Sequence, residues 1–160
     1  MTFIIVLLIK IDKTIVNKTK FGGSVMAIIE WSNDLSVKVN SIDTQHKKLI
    51  EYINQLHDGM MEGKGNDVLS TILEGLVDYT AKHFKYEEML FLTHGYDDAE
   101  AHKAEHAALV AKVVAFKEDF AQGKATLSSD IMEFLRDWLT DHIQGTDMKY
   151  SAFLTEKGVQ

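Results

Sequence analysis

The chain has 160 residues, no cysteine and no proline, and a formal net charge of −7 at neutral pH. This length suits one domain with a hydrophobic core of useful size. The acidic balance and the lack of a basic patch argue against a nucleic-acid partner. The lack of cysteine excludes a disulfide framework, a zinc finger and thiol chemistry, and the lack of proline leaves long helices unbroken.

The first 25 residues differ in character from the rest of the chain. Their apolar run, residues 3–9, is far shorter than the roughly 20 residues that a membrane-spanning helix requires. A signal peptide would carry its basic residues before such a run, whereas here the lysines follow it. We therefore predict an N-terminal extension over residues 1–25, outside the fold, and one functional domain over residues 26–160. A targeting or anchoring role is the alternative, but we expect a cytoplasmic protein without stable membrane association.

The domain opens with a short polar segment and a first amphipathic helix. Residues 31–40 alternate in polarity and predict an extended arm, with Trp31 packing its ring against the domain. Ser41 is the expected N-cap of the helix, and Gly63 and Gly65 end it. Its inward positions repeat with the helical period. They are His46, Leu49, Ile50, Ile53, Leu56 and Met60.

Three further amphipathic helices are predicted along the chain. They begin near Asp67, near Asp98, and after Ser128 or Ser129. Residues 93–98 read as a turn between the second and third helices. Four amphipathic helices joined by short loops predict an all-α fold, an up-down-up-down antiparallel four-helix bundle with an extended N-terminal arm.

Five of the seven histidines and two carboxylates fall on the inward stripes of these helices. His83 and Glu87 are four residues apart, so they share a helix face. His102 and His106 repeat that spacing on the next helix. Counting outward from the predicted turns, at about 1.5 Å per residue, places a histidine of every helix in the same slice of the bundle. The donors in this slice are His46, His83, Glu87, His102, His106, His142 and Asp147.

The last of these donors has an unusual spacing. Asp147 comes five residues after His142, about 140° out of phase on an ideal helix. It therefore requires a local adjustment of the helix or a sideways reach, and a carboxylate that bridges two metals could use that offset. Burying so many polar groups without a partner would cost several kcal/mol each, so a metal site is favoured over a metal-free polar network.

Three other polar side chains are not expected to be metal ligands. His57 lies on the first helix roughly 16 Å along from His46, and His94 lies in a turn. Both are interpreted as solvated or structural. Glu88 points about 100° away from Glu87 on the helix, so Glu87 is the better donor.

The donor set indicates the kind of metal and its chemistry. Five imidazoles and two carboxylates are too many for one ion but suit two ions that share bridging carboxylates. Nitrogen-rich sites without thiolate suit iron, copper or zinc. Ferritin-like di-iron oxidases reverse this balance, with carboxylates in the majority. A site with fewer anionic ligands should stabilise Fe(III) less, and would tend to hold dioxygen reversibly rather than cleave it.

Five motifs recur together between Met26 and about Leu154: Trp31, Gln45-His46, His83-Phe84-x-x-Glu87-Glu88, His102-x-x-x-His106 and Trp138-Leu139-x-x-His142-x-x-x-x-Asp147. With these motifs, this part of the chain resembles the hemerythrin family, in its single-domain bacterial type. One departure is minor, since Tyr96-Asp97 stands where the family often has a proline after the tyrosine. The first 25 residues have no counterpart in the short bacterial form.

The resemblance implies a cofactor of two iron ions (Fe2+/Fe3+) with a bridging oxo or hydroxo group. The ligands of one iron would be His102, His106 and His142. The ligands of the other would be His46 and His83, which leaves one open position for dioxygen. The bridging carboxylates would be Glu87 and Asp147. The side chains around the bound gas would be Leu49, Phe84, Trp138 and Leu139.

The implied function is reversible oxygen binding for storage, delivery or buffering. Two alternatives remain: a sensor of oxygen, redox state or nitric oxide that acts through a partner, and a di-iron enzyme that consumes peroxide or nitric oxide. Because the sequence shows no dedicated proton donor or substrate cleft, we predict that the protein is not an enzyme. The sequence does not identify a protein partner.

Overall fold

A computed structural model describes residues 27–160, so the predicted extension over residues 1–25 lies outside the described residues. The described part is helical, without a strand. Its elements are a 3₁₀ turn at Asn33–Leu35, α1 (Asn40–Met61), α2 (Asn66–His94), α3 (Ala99–Ala121), α4 (Ser129–His142), a π-helical segment (Ile143–Asp147) and α5 (Met148–Glu156). The π segment and α5 continue α4, so the bundle has four long helical arms, namely α1, α2, α3 and this continuous last helix. The predicted four-helix bundle is confirmed.

Most helix ends follow the predicted signals, but α2 extends through Thr93 and His94, which were predicted to lie in the turn. Gly95 adopts the left-handed conformation (φ 72°) directly after α2, a backbone angle that favours glycine, and so turns the chain towards α3. Ser128 caps α4 by accepting a hydrogen bond from the backbone amide of Ile131 at 3.4 Å. The prediction that Ser41 caps α1 is wrong. Ser41 lies inside the first turn, where its hydroxyl accepts a hydrogen bond from the Tyr86 hydroxyl of α2 at 3.1 Å.

A buried carboxylate orders the entry to α1 in place of the expected cap. Asp43 accepts hydrogen bonds from the backbone amide of Val37 at 2.8 Å and from the Ser36 hydroxyl at 2.6 Å. The Ser151 hydroxyl of α5 donates to the carbonyl of Val37 at 2.6 Å. These contacts hold the chain before α1 against the last helix of the bundle.

The N-terminal arm packs on the bundle, as its aromatic residue predicted. Trp31 is half-buried against the core, with Lys47 Nζ 4.7 Å above its ring. The backbone of Ile29 makes two hydrogen bonds with the side chain of Asn54. The Ile29 N–H donates to Asn54 Oδ1 at 3.1 Å, and Asn54 Nδ2 donates to the Ile29 carbonyl at 2.9 Å. The arm is therefore part of the folded domain from Ile29 onward, and its extended course is interrupted by the 3₁₀ turn.

The core consists mainly of aliphatic side chains from all four arms of the bundle. Those with no exposed surface include Leu56, Leu73, Met132 and Ile143. The predicted polar slice crosses this core, and its residues are as deeply buried as the leucines around them. No helix within residues 27–160 combines the length and apolar content that crossing a bilayer requires.

Candidate metal centre

The structure brings all seven predicted donors together inside the bundle, each at most 5% exposed. They form two overlapping groups whose ligand atoms lie within 4.8 Å of one another. One group is Glu87, His102, His106, His142 and Asp147, and the other is His46, His83, Glu87 and Asp147. His57 and His94 lie outside this cluster, as the sequence analysis expected.

The unusual spacing before Asp147 is resolved by the backbone. Ile143–Asp147 forms a π-helical segment, in which the wider turn accommodates an extra residue. The five-residue step therefore returns Asp147 to the side of the helix that carries His142, and Asp147 Oδ1 lies 3.2 Å from His142 Nε2. The predicted local adjustment of the helix is confirmed, and it lies beside the cluster of buried donors.

Glu87 presents one oxygen to each group of histidines. Its Oε1 lies 3.6 Å from His83 Nε2 and 4.0 Å from His46 Nε2. Its Oε2 lies 3.2 Å from His106 Nε2 and 3.7 Å from His102 Nε2. The carboxylate therefore stands between two separate sets of imidazole nitrogens.

Asp147 repeats this division from the opposite arm of the bundle. Its Oδ2 lies 3.2 Å from His46 Nε2. Its Oδ1 lies 3.2 Å from both His102 Nε2 and His142 Nε2. The cluster thus has a three-histidine half, formed by His102, His106 and His142, and a two-histidine half, formed by His46 and His83. The two carboxylates are shared by both halves.

Contacts at the outer ring nitrogens fix how the imidazoles point. His83 Nδ1 lies 2.9 Å from Gln45 Oε1, and His106 Nδ1 lies 3.1 Å from Glu88 Oε1. Because these oxygens can only accept, each Nδ1 carries the hydrogen and each Nε2 lone pair faces inward. Sequence reasoning placed Glu88 correctly as pointing away from the cluster interior, but it missed this contact with a histidine of the next helix.

The inward-facing atoms lack protein partners, which tests whether the residues fit a metal. Buried polar atoms are normally hydrogen-bonded, and leaving them unpaired is costly. Within the described residues, seven inward-facing atoms of the cluster are buried without a hydrogen bond. They are Nε2 of His46, His102, His106 and His142, Oε2 of Glu87, and both carboxylate oxygens of Asp147. Nitrogen and oxygen lone pairs converging in this way form a cluster able to hold a metal.

The charges within the cluster favour ionised carboxylates. Burial and the Asp147 carboxylate act to raise the pKa of Glu87, but His83, His102 and His106 outweigh them and hold this pKa at about 2. Burial likewise acts to raise the pKa of Asp147, but the imidazoles of His102, His142 and His46 outweigh it and hold this pKa well below its ordinary value. Both groups are therefore available as anionic donors at neutral pH.

Two histidines of the cluster have pKa values that are shifted in opposite directions. Burial lowers the pKa of His83 to about 4, despite the nearby Glu87 carboxylate. Burial also opposes the charged form of His102, but the nearby Asp147 and Glu87 carboxylates raise its pKa to about 9. A metal that binds this cluster at neutral pH must therefore displace a proton from His102, whereas His83 is already neutral.

Tyr150 is a buried contact of the cluster that sequence reasoning did not assign. Its hydroxyl donates a short hydrogen bond to Glu87 Oε1. Burial and the Glu87 and Asp147 carboxylates raise the pKa of Tyr150 well above its ordinary value, so the phenol remains a donor. The available signal was its position three residues after Asp147, which places both side chains on one helix face.

An apolar cavity of about 30 Å³ lies beside the cluster. The four residues expected around the gas, Leu49, Phe84, Trp138 and Leu139, all line it. The Phe84 ring stacks on the His106 ring with 3.6 Å between ring centroids, and the Trp138 ring stacks on the His142 ring with 4.4 Å between centroids. The cavity has about two to three times the volume of roughly 10–15 Å³ that one water requires, but its apolar lining offers water few partners.

Fold and site together define a class: an all-α bundle with a buried histidine and carboxylate cluster able to hold a metal. The Hemerythrin HHE cation binding domain matches residues 37–154. The bacteriohemerythrin of Methylococcus capsulatus (strain Bath) is 36% identical over 131 residues, covering 81% of this chain and 99% of that protein. The bacteriohemerythrin of Pseudomonas aeruginosa (strain LESB58) is 36% identical over 125 residues, covering 78% and 80%. The hemerythrin-like protein of Naegleria gruberi is 32% identical over 124 residues, covering 78% and 92%.

Solved structures agree with these sequence matches. A crystal structure of wild-type hemerythrin superposes with a TM-score of 0.77 at 35% identity, covering 81% of this chain and 99% of that chain. A leucine-to-alanine mutant of hemerythrin gives a TM-score of 0.78 at the same identity and coverage. The chain belongs to the hemerythrin family.

Proposed function

We propose that this chain binds dioxygen reversibly at a non-haem di-iron centre. The observation that carries the proposal is the division of Glu87 and Asp147, each of which turns one oxygen to each half of the cluster. That arrangement suits carboxylates that bridge two ions. The proposed ligands are His102, His106 and His142 for one iron, His46 and His83 for the other, and Glu87 and Asp147 for both. The two irons, with an oxo or hydroxo bridge, would supply the electrons and the open position that dioxygen binding needs.

The chain's own residues hold and orient this donor set. Gln45 and Glu88 keep the Nδ1 hydrogens of His83 and His106 outward, so that their Nε2 lone pairs point inward. Tyr150 fixes the orientation of the Glu87 carboxylate by donating to one of its oxygens. These contacts prearrange the ligands at little cost in side-chain freedom when metal binds.

The apolar cavity supports a role in gas binding rather than in catalysis. Leu49, Phe84, Trp138 and Leu139 would surround dioxygen and keep out water. None of these side chains can donate or accept a proton in a reaction, apart from the indole N–H of Trp138. We therefore propose an oxygen-binding protein for storage, delivery or buffering, and not an enzyme.

An optical spectrum of the reduced protein, recorded after exposure to air and again after degassing, tests whether oxygen binding is reversible. A spectrum that never returns to the reduced form contradicts the proposal.

We expect two iron atoms per chain in protein purified with iron. The physical reason is that five imidazoles and two shared carboxylates exceed the coordination needs of one ion but suit two. Metal analysis against protein concentration measures the ratio. A value near one, or stoichiometric zinc in the native protein, would reject the di-iron assignment.

Metal binding to the metal-free protein near pH 7.5 should release about one proton per chain from His102, in addition to the proton that water loses when it forms a hydroxo bridge. His102 has a pKa of about 9, raised from 6.5, so it carries a proton at this pH that the metal must displace. The same raised pKa stabilises the folded metal-free protein fully below pH 6.5, and that stabilisation is lost as the pH rises through about 9. Calorimetry in buffers of different ionisation enthalpy measures the release. The His102 contribution should fade above about pH 9, and a proton release that is the same at pH 7.5 and above pH 9 would contradict the assignment of that proton to His102.

We propose that residues 1–25 are dispensable for the domain. The first described residue that hydrogen-bonds to the bundle is Ile29, through Asn54 of α1. A chain that begins at Met26 should therefore keep its helical circular dichroism, its iron and its spectrum. Loss of helicity or iron on truncation would show that the extension belongs to the fold. Sedimentation of the full-length chain with membranes, but not of the truncated chain, would instead support the anchoring alternative.

A further inference from the structure

The two halves of the cluster differ in the side chains that contact the outer ring nitrogens (Nδ1) of their histidines. We call each such side chain the support of its histidine. In the three-histidine half, His106 Nδ1 lies 3.1 Å from Glu88 Oε1, and His142 Nδ1 lies 3.3 Å from Glu105 Oε2. Both supports are carboxylates. In the two-histidine half, the support of His83 is the neutral amide of Gln45, at 2.9 Å.

The remaining histidine of the two-histidine half has less support still. Within the described residues, His46 Nδ1 is buried without a hydrogen-bond partner. The difference between the halves is therefore one of charge: two anionic supports on one side, and one neutral support on the other. It is separate from the ligand set, in which each half receives one oxygen from each shared carboxylate.

The Glu105 carboxylate is held in place by the fold. The Thr146 hydroxyl donates to its Oε2 at 2.9 Å, and Thr146 belongs to the π segment that also carries Asp147. The π segment thus positions a donor inside the cluster and an anionic support outside it. The Glu88 side chain is 34% exposed and the Glu105 side chain 47% exposed, so both can be changed without opening the core.

The chemical consequence follows from the charge of the acceptor. A carboxylate that accepts the Nδ1–H of an imidazole raises the basicity of the opposite Nε2 more than a neutral amide does, because the hydrogen bond is charge-assisted. A more basic imidazole binds a metal ion more tightly, and it stabilises a higher metal charge.

We propose that Glu88 and Glu105 are positioning residues that make the three-histidine half the more electron-rich half of the centre. This half then binds its metal more tightly than the two-histidine half, and its iron is the more easily oxidised of the two. The inference rests on the proposed di-iron function. It assigns an order to the two metal positions, which the ligand set alone does not give.

Glu88→Gln and Glu105→Gln, singly and together in the full chain, test this inference. Glutamine has nearly the same shape as glutamate and can still accept from Nδ1, so the substitution removes charge and keeps the contact. Cobalt(II) titration of the metal-free protein, followed by visible absorption, reports both positions without iron or oxygen. We expect the parent to bind two cobalt ions with unequal affinity. Each substitution should weaken the tighter position by about 10–100-fold, the range for residues that support metal ligands.

Two further variants make the test directional. Gln45→Glu should strengthen the weaker position and narrow the gap between the two affinities. Glu74→Gln removes an exposed charge 14 residues before Glu88 on the same helix, where it contacts Lys117 at 3.9 Å, and should change neither affinity. In iron-loaded protein, the reduction potential should rise in Glu88→Gln and Glu105→Gln and fall in Gln45→Glu. A purely structural role for these residues would not move the potential in opposite directions.

The outcomes separate this inference from the proposed function. If the parent binds two ions but the Glu88 and Glu105 variants leave affinities and potentials unchanged, the inference is overturned and the metal centre stands. Selective weakening of one position, with opposite shifts in potential, supports it. If the parent binds fewer than two cobalt ions, both the inference and the two-metal assignment fail. Should a glutamine variant fail to fold, Gln45→Glu alone still decides the direction of the effect.

Discussion

Replacing Glu87 with glutamine should remove both metals from the centre. Glu87 is fully buried, and each of its oxygens faces a different half of the cluster. The amide keeps the size of the side chain and an acceptor for Tyr150, but it loses the charge and one of the two oxygens. Residues that only support metal ligands cost about 10–100-fold in affinity when mutated, so loss of a shared ligand should cost more than about 100-fold. Metal analysis after purification with iron should give well under one iron per chain.

The matched comparison for this variant is His102→Ala, which removes a donor from the three-histidine half alone. We expect His102→Ala to lower iron content while leaving the donors of the two-histidine half intact, so the two variants should differ in residual metal. Glu74→Gln, an exposed charge on the same helix, should retain the parent iron content. If Glu87→Gln keeps one iron and His102→Ala loses both, Glu87 is not the shared ligand proposed here.

The sequence was sufficient to predict the bundle and the membership of the cluster, for a definite physical reason. Helical periodicity fixes which side chains face inward, and residue counts from the turns fix their depth, so His46, His83, His106 and His142 could be placed in one slice. Short loops then leave few ways to arrange four antiparallel helices.

The parts that escaped prediction depend on contacts between helices. The outer nitrogen of His106 meets Glu88 of α2, and that of His142 faces Glu105 of α3. Periodicity describes one helix at a time, so it carries no information on how far a glutamate of one helix reaches towards the next. The misplaced cap has a similar origin, because Asp43 is engaged by the arm before α1 and Ser41 by Tyr86 of α2.

Asp147 lies between these two cases. Its five-residue spacing from His142 showed that an ideal helix could not deliver it to the cluster, which predicted a local adjustment of the helix or a sideways reach. Spacing alone did not choose between them, and the structure shows the π segment Ile143–Asp147. A mismatch between chemical pattern and helical period thus pointed to a specific backbone feature.

Truncating Leu139 should damage oxygen retention while leaving the ligand set intact. Leu139 is 5% exposed, lies three residues before His142 and lines the cavity beside the cluster. Leu139→Ala enlarges that cavity, and a larger space adjoining polar ligands admits water, which can bring protons to the bound gas. We expect both irons to be retained. The spectrum of the oxygen-bound protein should decay to that of the ferric form about tenfold faster or more, equivalent to a barrier lower by about 1.4 kcal/mol.

Loss of packing alone must be separated from loss of shielding. Leu139→Ala should reduce the free energy of unfolding by about 2–5 kcal/mol, as large-to-small substitutions in a core do. Leu73→Ala is the matched control, because Leu73 is a fully buried leucine ten residues before His83 on α2, and it is not among the residues that line the cavity. The control should lose similar stability in urea unfolding yet keep the parent rate of spectral decay. Equal decay rates in the two variants would assign the effect to general destabilisation and refute the pocket, even with both irons in place.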